Sequence, residues 1–134
     1  MKIFKIVTKK DIDKYKKLIV DFYQPYYPGE NYKKALENSN FIVICIEDDK
    51  IIGAGRIITD SVRYAMIHDL IVKKIFRKQG IGLKLVKMMV NELKKIKICQ
   101  IGLVYEKKIP WLKKFYQKTG FAEDKYCNYL VIRK

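Results

Sequence analysis

Apolar positions change their spacing several times along the chain, and each change predicts a new element. Near the start, Lys2 to Val7 alternates like a half-buried strand. Thr8 and Asp11 resemble a capping box, and Ile12, Tyr15, Ile19 and Phe22 then recur at helical spacing until Pro25 stops the helix. A second short helix is predicted in "ENYKKALENS", after an aromatic loop, "PYYPG", of a kind that often borders a pocket. "FIVICIEDDKIIGAGRII" reads as two strands joined by a tight turn at Glu47 to Lys50, and the apolar run from Val62 to Val72 as a further, central strand. Successive pairing of these strands makes an antiparallel meander.

From Gly80 to Ile96 the period becomes helical, with Leu85, Met89, Leu93 and Ile96 on one face and Lys84, Lys87, Asn91 and Lys94 on the other. "ICQIGLVY" is again a strand. Because a helix precedes it, it is expected to lie parallel to the Val62–Val72 strand through a right-handed crossover. Pro110 suits the first turn of a helix carrying "WLKKFYQKT", in which Trp111 with Phe115 and Leu112 with Tyr116 stack at four-residue spacing; Gly120 ends it. Phe121 to Asp124 and Cys127 to Ile132 are expected to finish the sheet as a hairpin. The expected class is α/β (α+β), a mixed, mainly antiparallel central sheet flanked by helices, in one domain spanning residues 1–134.

Composition narrows the classes. With 49% hydrophobic and 32% charged residues the chain is globular rather than disordered. Its longest apolar run, Phe41 to Ile46, is far shorter than the roughly 20 residues that span a bilayer. A second lysine in "MKIFKIV" interrupts any signal-peptide core, so a cytoplasmic protein without a membrane partner is expected. Cys45, Cys99 and Cys127 form no CxxC pair, which points to buried reduced thiols, with no metal site and no disulfide framework. The net charge of +15 raises nucleic acid as a partner, yet 25 of the 29 basic residues are lysines spread along predicted polar helix faces. That is the pattern of a solvated surface; polyanion affinity and a preference for an anionic small molecule stay open beside it.

The stretch "IVKKIFRKQGIGLKLVKMMV" holds the most pointed chemistry. Helix starts expose unpaired amides and the positive end of the helix dipole, and Gly80 and Gly82 let a phosphate approach while Arg77 and Lys78 add charge. A phosphate loop of the Walker type is excluded because Leu83, not lysine, follows Gly82. A dinucleotide-binding turn is excluded because Leu85 stands where its third glycine belongs. Two readings remain: an anion site, or glycines that simply let a strand turn into a helix.

"LIVKKIFRKQGIG" resembles the acetyl-CoA-binding segment of the GCN5-related N-acetyltransferases (GNAT), in which an apolar strand leads into R/Q-x-x-G-x-G/A at a helix start. Arg77, Gly80 and Gly82 match it, Lys78 and Gln79 are common fillers, and Leu70 and Val72 take the usual strand positions. Downstream, "FYQKTGF" resembles the family's "lYeklGF" segment, and the two motifs bracket a predicted strand as the family requires. "GAGRIITDSVRYAMIHDLIV" is similar to its central strands, so the resemblance covers nearly the whole chain. Lys74 stands where many members carry proline, and Pro110 where many carry asparagine.

The resemblance implies an acetyl-CoA-dependent N-acetyltransferase, monomeric or homodimeric, acting by direct attack of an amine on the thioester. It implies a V-shaped gap beside the central strand, where backbone groups of Leu70, Ile71 and Val72 pair with the pantetheine arm and the Val72 N–H polarises the thioester carbonyl. Amides of Lys78, Gln79, Gly80, Ile81, Gly82 and Leu83, with Arg77, are implied to hold the pyrophosphate. Tyr116 resembles the family's general acid, a phenol that keeps its proton at neutral pH; alone it reads as a helix aromatic beside Leu112. For the base, strand alternation sets His68 and Asp69 on opposite faces. Asp69 is the candidate through a water, with pairing to a nearby Lys or Arg as the other reading; Glu47 and Tyr105 rank below both. In the acceptor region, Tyr23, Tyr26, Tyr27 and Trp111 are expected as aromatic walls, with Lys107 and Lys108 at the edge. That combination favours a small primary amine, above all one with an anionic group, over a polyamine. The alternatives are a nucleic-acid-binding module, which lacks any RRM, KH or helix-turn-helix signature here, and an acyl-CoA-binding sensor without turnover.

Overall fold

The alternating runs become strands β1 (Ile3–Thr8), β2 (Phe41–Glu47), β3 (Lys50–Thr59), β4 (Tyr64–Val72) and β5 (Gln100–Leu103). They form one mixed sheet in that order, antiparallel except for the parallel β4–β5 pair. The helices are α1 (Ile12–Tyr23), α2 (Tyr32–Glu37), α3 (Ile81–Lys95) and α4 (Leu112–Lys118). The computed structural model describes residues 1–133. These fall into two compact units, Met1–Val104 with the sheet and α1 to α3, and the described residues from Tyr105 onward with α4.

Local chemistry accounts for the turns. Asp48 and Asp49 both take positive φ, 51° and 60°, which is the hairpin turn whose twist matches the flanking strands and which Asp tolerates. The expected capping box is a turn instead. Thr8 Oγ1 donates to Asp11 Oδ2 at 3.2 Å, and Asp11, with helical backbone angles, caps no amide of α1. A capping side chain is aimed at the first-turn amides from an extended backbone, which Asp11 lacks.

One side of the sheet in the first unit packs Ile19, Phe22, Tyr23, Tyr32 and Leu36 of α1 and α2 against Val7, Ile42, Ile44, Ile51 and Ala54. The opposite side receives α3 through Ile81, Leu85, Val86, Met89 and Leu93, all buried. Full burial of one such side chain stabilises the fold by roughly 1.5–3 kcal/mol. Ile96, expected on that face, lies past the end of α3 and is half exposed. Close approach of α3 depends on β3 glycines: a Cβ on Gly55 would stand 2.8 Å from Met89 Cε and 3.3 Å from Leu70 Cδ1. Gly55→Val is therefore expected to lower stability by about 1–3 kcal/mol through overpacking, read from the urea midpoint. An unchanged midpoint would show that Met89 moves aside freely.

Two expectations are corrected. From Phe121 to Arg133 the described residues form no strand, and Tyr126, Leu130 and Ile132 are almost fully exposed. Strand-favouring residues make a strand only where a partner edge takes up their backbone groups, and the pattern carries no information about that partner. Of the three free cysteines only Cys45 is buried, while Cys99 and Cys127 are exposed. Cys99 falls just before β5, and Cys127 lies in the strandless stretch, so apolar neighbours in sequence did not translate into burial.

Candidate active site

Pairing of β4 with β5 runs from Tyr64–Gln100 to Ile67–Leu103 and stops there. Beyond Ile67, β4 continues to Val72 with that edge free of a strand partner in this unit. On its other edge the register shifts: Arg56 pairs with His68 and Ala54 with Ile71, so Asp69 and Leu70 together oppose Gly55. This is a β-bulge, and Asp69 holds the left-handed backbone (φ 55°) that non-glycine residues take only at a cost. The extra residue breaks the expected alternation. His68, directly across from Arg56, shares its side of the sheet, and Asp69 reaches that same arginine.

Asp69 is surrounded by donors. Tyr27 Oη donates to Oδ1 at 2.8 Å, and Tyr32 Oη and Arg56 Nε donate to Oδ2 at 2.5 and 2.8 Å. Tyr23 Oη donates to the Asp69 backbone carbonyl at 2.7 Å. The rings stack, Tyr23 on Tyr32 with centroids 4.7 Å apart and Tyr27 on Tyr32 at 5.1 Å, and the Arg56 guanidinium lies 5.7 Å from the Tyr32 ring centre. Burial opposes the carboxylate charge, but the hydrogen bonds from Tyr32, Arg56 and Tyr27 outweigh it and hold the Asp69 carboxyl below its ordinary value. Burial, reinforced by the carboxylate they donate to, pushes the Tyr27 and Tyr32 hydroxyls up. A carboxylate so occupied is a weak proton acceptor, and pairing with an arginine, the second reading of Asp69, is what the geometry displays.

The sign of the linkage follows from that depressed pKa. Its contribution to stability is present above the unfolded aspartate value of about 3.9 and is lost as the pH falls through the lower folded value. Thermal midpoints should therefore fall on acidification below about pH 4, and Asp69→Asn, less stable at neutral pH, should lose less over the same interval. Parallel acid limbs in the two proteins would contradict this.

At the end of β4 the chain makes one 3₁₀ turn, Lys74–Phe76, and enters α3 through Lys78 and Gly80, both left-handed, with φ of 64° and 80°. Among the described residues no side chain caps α3. Its first-turn amides, preceded by Lys78, thus present the positive helix end without an internal anion, which fits a pyrophosphate. Arg77 Nε donates to the Val72 carbonyl at 2.9 Å, latching the turn to the strand end.

In the second unit, "FYQKTGF" has a clear physical basis. Gly120 is left-handed (φ 100°), its amide bonds the Gln117 carbonyl at 3.1 Å, and the Phe121 amide bonds the Tyr116 carbonyl at 3.2 Å. That pair of bonds is a Schellman stop, whose usual apolar contact brings the Phe121 ring to Tyr116, 6.3 Å between centroids. Tyr116 is buried against Phe115 at 5.1 Å and Tyr105 at 6.2 Å, and burial raises its pKa.

Of the expected acceptor walls, Tyr23 is withdrawn. It is fully buried with its hydroxyl spent on Asp69, whereas Tyr26 and Trp111 are exposed, each in its own unit. Arg56 was anticipated only as an unnamed Lys or Arg beside Asp69.

The sequence matches the family model described as an acetyltransferase (GNAT) domain over residues 10–127. The chain belongs to the GNAT acetyltransferase family. Among its relatives is an uncharacterized N-acetyltransferase, ycf52, of Pyropia yezoensis, 30% identical over 101 residues, or 72% of this chain. The Porphyra purpurea counterpart is 28% identical over the same length, and the chain spans 56% of the length of each of these two relatives. A GNAT family acetyltransferase from Streptococcus pneumoniae TIGR4 superposes with a TM-score of 0.80 at 24% identity, covering 100% of this chain and 98% of that one. An aminoglycoside acetyltransferase from an uncultured soil metagenomic sample, solved in complex with sisomicin, superposes at 0.71 with 17% identity over 99% and 97% of the two chains. These structures establish the GNAT fold of the sheet and its flanking helices.

Proposed function

We propose that residues 1–134 act as one N-acetyltransferase domain that transfers the acetyl group of acetyl-CoA to the primary amine of a small molecule. The observation that carries this reading is the free edge of β4 beyond Ile67, which leads directly into the uncapped, basic start of α3. Amides of Gly80 to Leu83, with Lys78 and Gln79, hold the pyrophosphate. Backbone groups of Leu70 and Ile71 pair with the pantetheine arm, and the Val72 N–H polarises the thioester carbonyl. Arg77 fixes the Val72 carbonyl through Nε and turns its terminal nitrogens to the phosphates.

The amine releases its ammonium proton to water, and its nitrogen attacks the carbonyl carbon. The C–N bond forms, the C–S bond breaks, Tyr116 gives its hydroxyl proton to the departing sulfur, and the proton that nitrogen loses as the amide forms returns through water to the Tyr116 oxygen. Burial favours the protonated phenol, which suits a proton donor.

An acceptor with an anionic group fits best, because a chain of net charge +15 with exposed Lys107 and Lys108 repels polycations. The fold shared with a protein solved with sisomicin supports a small-molecule amine, while charge argues against sisomicin's own class here. A panel of amines read by free CoA thiol is expected to favour anionic primary amines, such as amino-sugar phosphates, over spermidine. Preference for spermidine or for lysines of a basic protein would overturn the acceptor class, and binding of acetyl-CoA with no release of CoA thiol in the presence of any amine would leave a sensor.

A further inference from the structure

Four side chains from four places in the chain converge on one strained residue. Tyr23 closes α1, Tyr27 lies in the turn after it, Tyr32 opens α2 and Arg56 comes from β3, yet all donate to Asp69. Tyr23 and Tyr32 are buried, and the arginine also reaches buried Ser39 Oγ at 3.3 Å. Such convergence exceeds what a core needs, since the same volume filled by phenylalanines would pack without any polar atom to satisfy. Asp69 is also the extra residue of the bulge, with φ of 55°, immediately before Leu70, Ile71 and Val72. Left to itself, an aspartate in a strand relaxes to extended angles, the two-against-one register against Gly55 collapses, and the following backbone groups rotate. Donors on both carboxylate oxygens and on the backbone carbonyl oppose that relaxation from one side.

From this we infer that Asp69 is a positioning residue: clamped by Tyr23, Tyr27, Tyr32 and Arg56, it locks the β4 bulge and thereby aims the Leu70–Val72 backbone at the acyl donor. Its carboxylate moves no proton in the reaction. Because the clamp joins α1 and α2 to β4, it also ties the helices on that side to the strand that meets the thioester. The inference rests on the acetyltransferase reading for its kinetic consequence, though the locking of the bulge does not.

Two variants and two readouts separate the outcomes. In Asp69→Asn, acetyl-CoA Kd and KM are expected to rise at least tenfold, with kcat lowered and the pH–rate profile keeping its wild-type shape. Loss of the acid limb of that profile with unchanged acetyl-CoA affinity would make Asp69 the base and overturn the assignment. Tyr27→Phe keeps the ring stack and removes one donor, so it serves if Asp69→Asn fails to fold. It is expected to raise Kd about threefold to tenfold with kcat less affected, and an unchanged Kd would count against the clamp. Hydrogen exchange of the Lys73 amide, which ends this strand segment bonded to the Ile52 carbonyl at 2.8 Å, supplies the independent readout in the protein without acetyl-CoA. Exchange in Tyr27→Phe is expected to quicken there and not in β1 or β2, and uniform or unchanged exchange would refute the lock. Should the wild-type protein bind no acetyl-CoA, the acetyltransferase reading falls by itself, and the exchange data still decide whether the bulge is held this way.

Discussion

Tyr116→Phe is expected to reduce turnover by roughly 10²–10⁴-fold, the usual contribution of a positioned general acid, with acetyl-CoA affinity close to wild type. The ring is buried among Phe115, Phe121 and Tyr105, so a phenylalanine fills the same space and keeps the Schellman stop that follows. No hydrogen bond from the Tyr116 hydroxyl supports the fold among the described residues, and none of their buried polar atoms lacks a partner, so removing that oxygen orphans no buried group. The thermal midpoint should therefore stay within a few degrees while the proton for the leaving sulfur is lost. Single-turnover kinetics at saturating acetyl-CoA isolate the chemical step. A wild-type rate there would reduce Tyr116 to a core aromatic.

Gly82→Val is expected to weaken acetyl-CoA binding about tenfold to hundredfold, or roughly 1.4–2.7 kcal/mol. Gly82 sits in the first turn of α3, where phosphate oxygens must come within hydrogen-bonding distance of bare amides. A β-branched side chain there stands in the approach path. Helix propensity does not oppose the change, because valine is no worse than glycine inside a helix. Stability is thus expected to hold while affinity falls, which separates this effect from Gly80→Val, where φ of 80° makes any branched residue strained. Calorimetric titration paired with a melting curve reads both quantities. Undiminished affinity in a folded Gly82→Val protein would move the pyrophosphate elsewhere.

Much of this architecture is legible as periodicity. The switch from alternation to helical spacing at Gly80 marks α3 within a residue, and "EDDK" marks the β2–β3 turn because two successive aspartates accept positive φ. The end of α4 was legible in "FYQKTGF", since Gly120 and Phe121 are what a Schellman stop demands at those offsets. The bulge was not legible. "VRYAMIHDLIV" reads as an uninterrupted strand, and one extra residue shows only against the register of β3; a lone aspartate amid apolar neighbours was the single hint. Nor does any local period report the donors to Asp69, which lie 13, 37, 42 and 46 residues away in sequence. The apolar run after Phe121 misleads for the converse reason, since strand propensity describes a residue's fitness for a sheet and says nothing of an available edge.

The central claim is that acetyl-CoA is held by its pyrophosphate at the start of α3 with its thioester arm along the free edge of β4. Titrating the wild-type protein with acetyl-CoA and, in parallel, with S-acetylpantetheine tests it most directly, because the second ligand keeps the arm and lacks the phosphates. Binding of acetyl-CoA at least a hundredfold tighter, with the difference shrinking steeply as salt is raised, is the predicted result. Equal affinities, or no binding of acetyl-CoA at all, would contradict it.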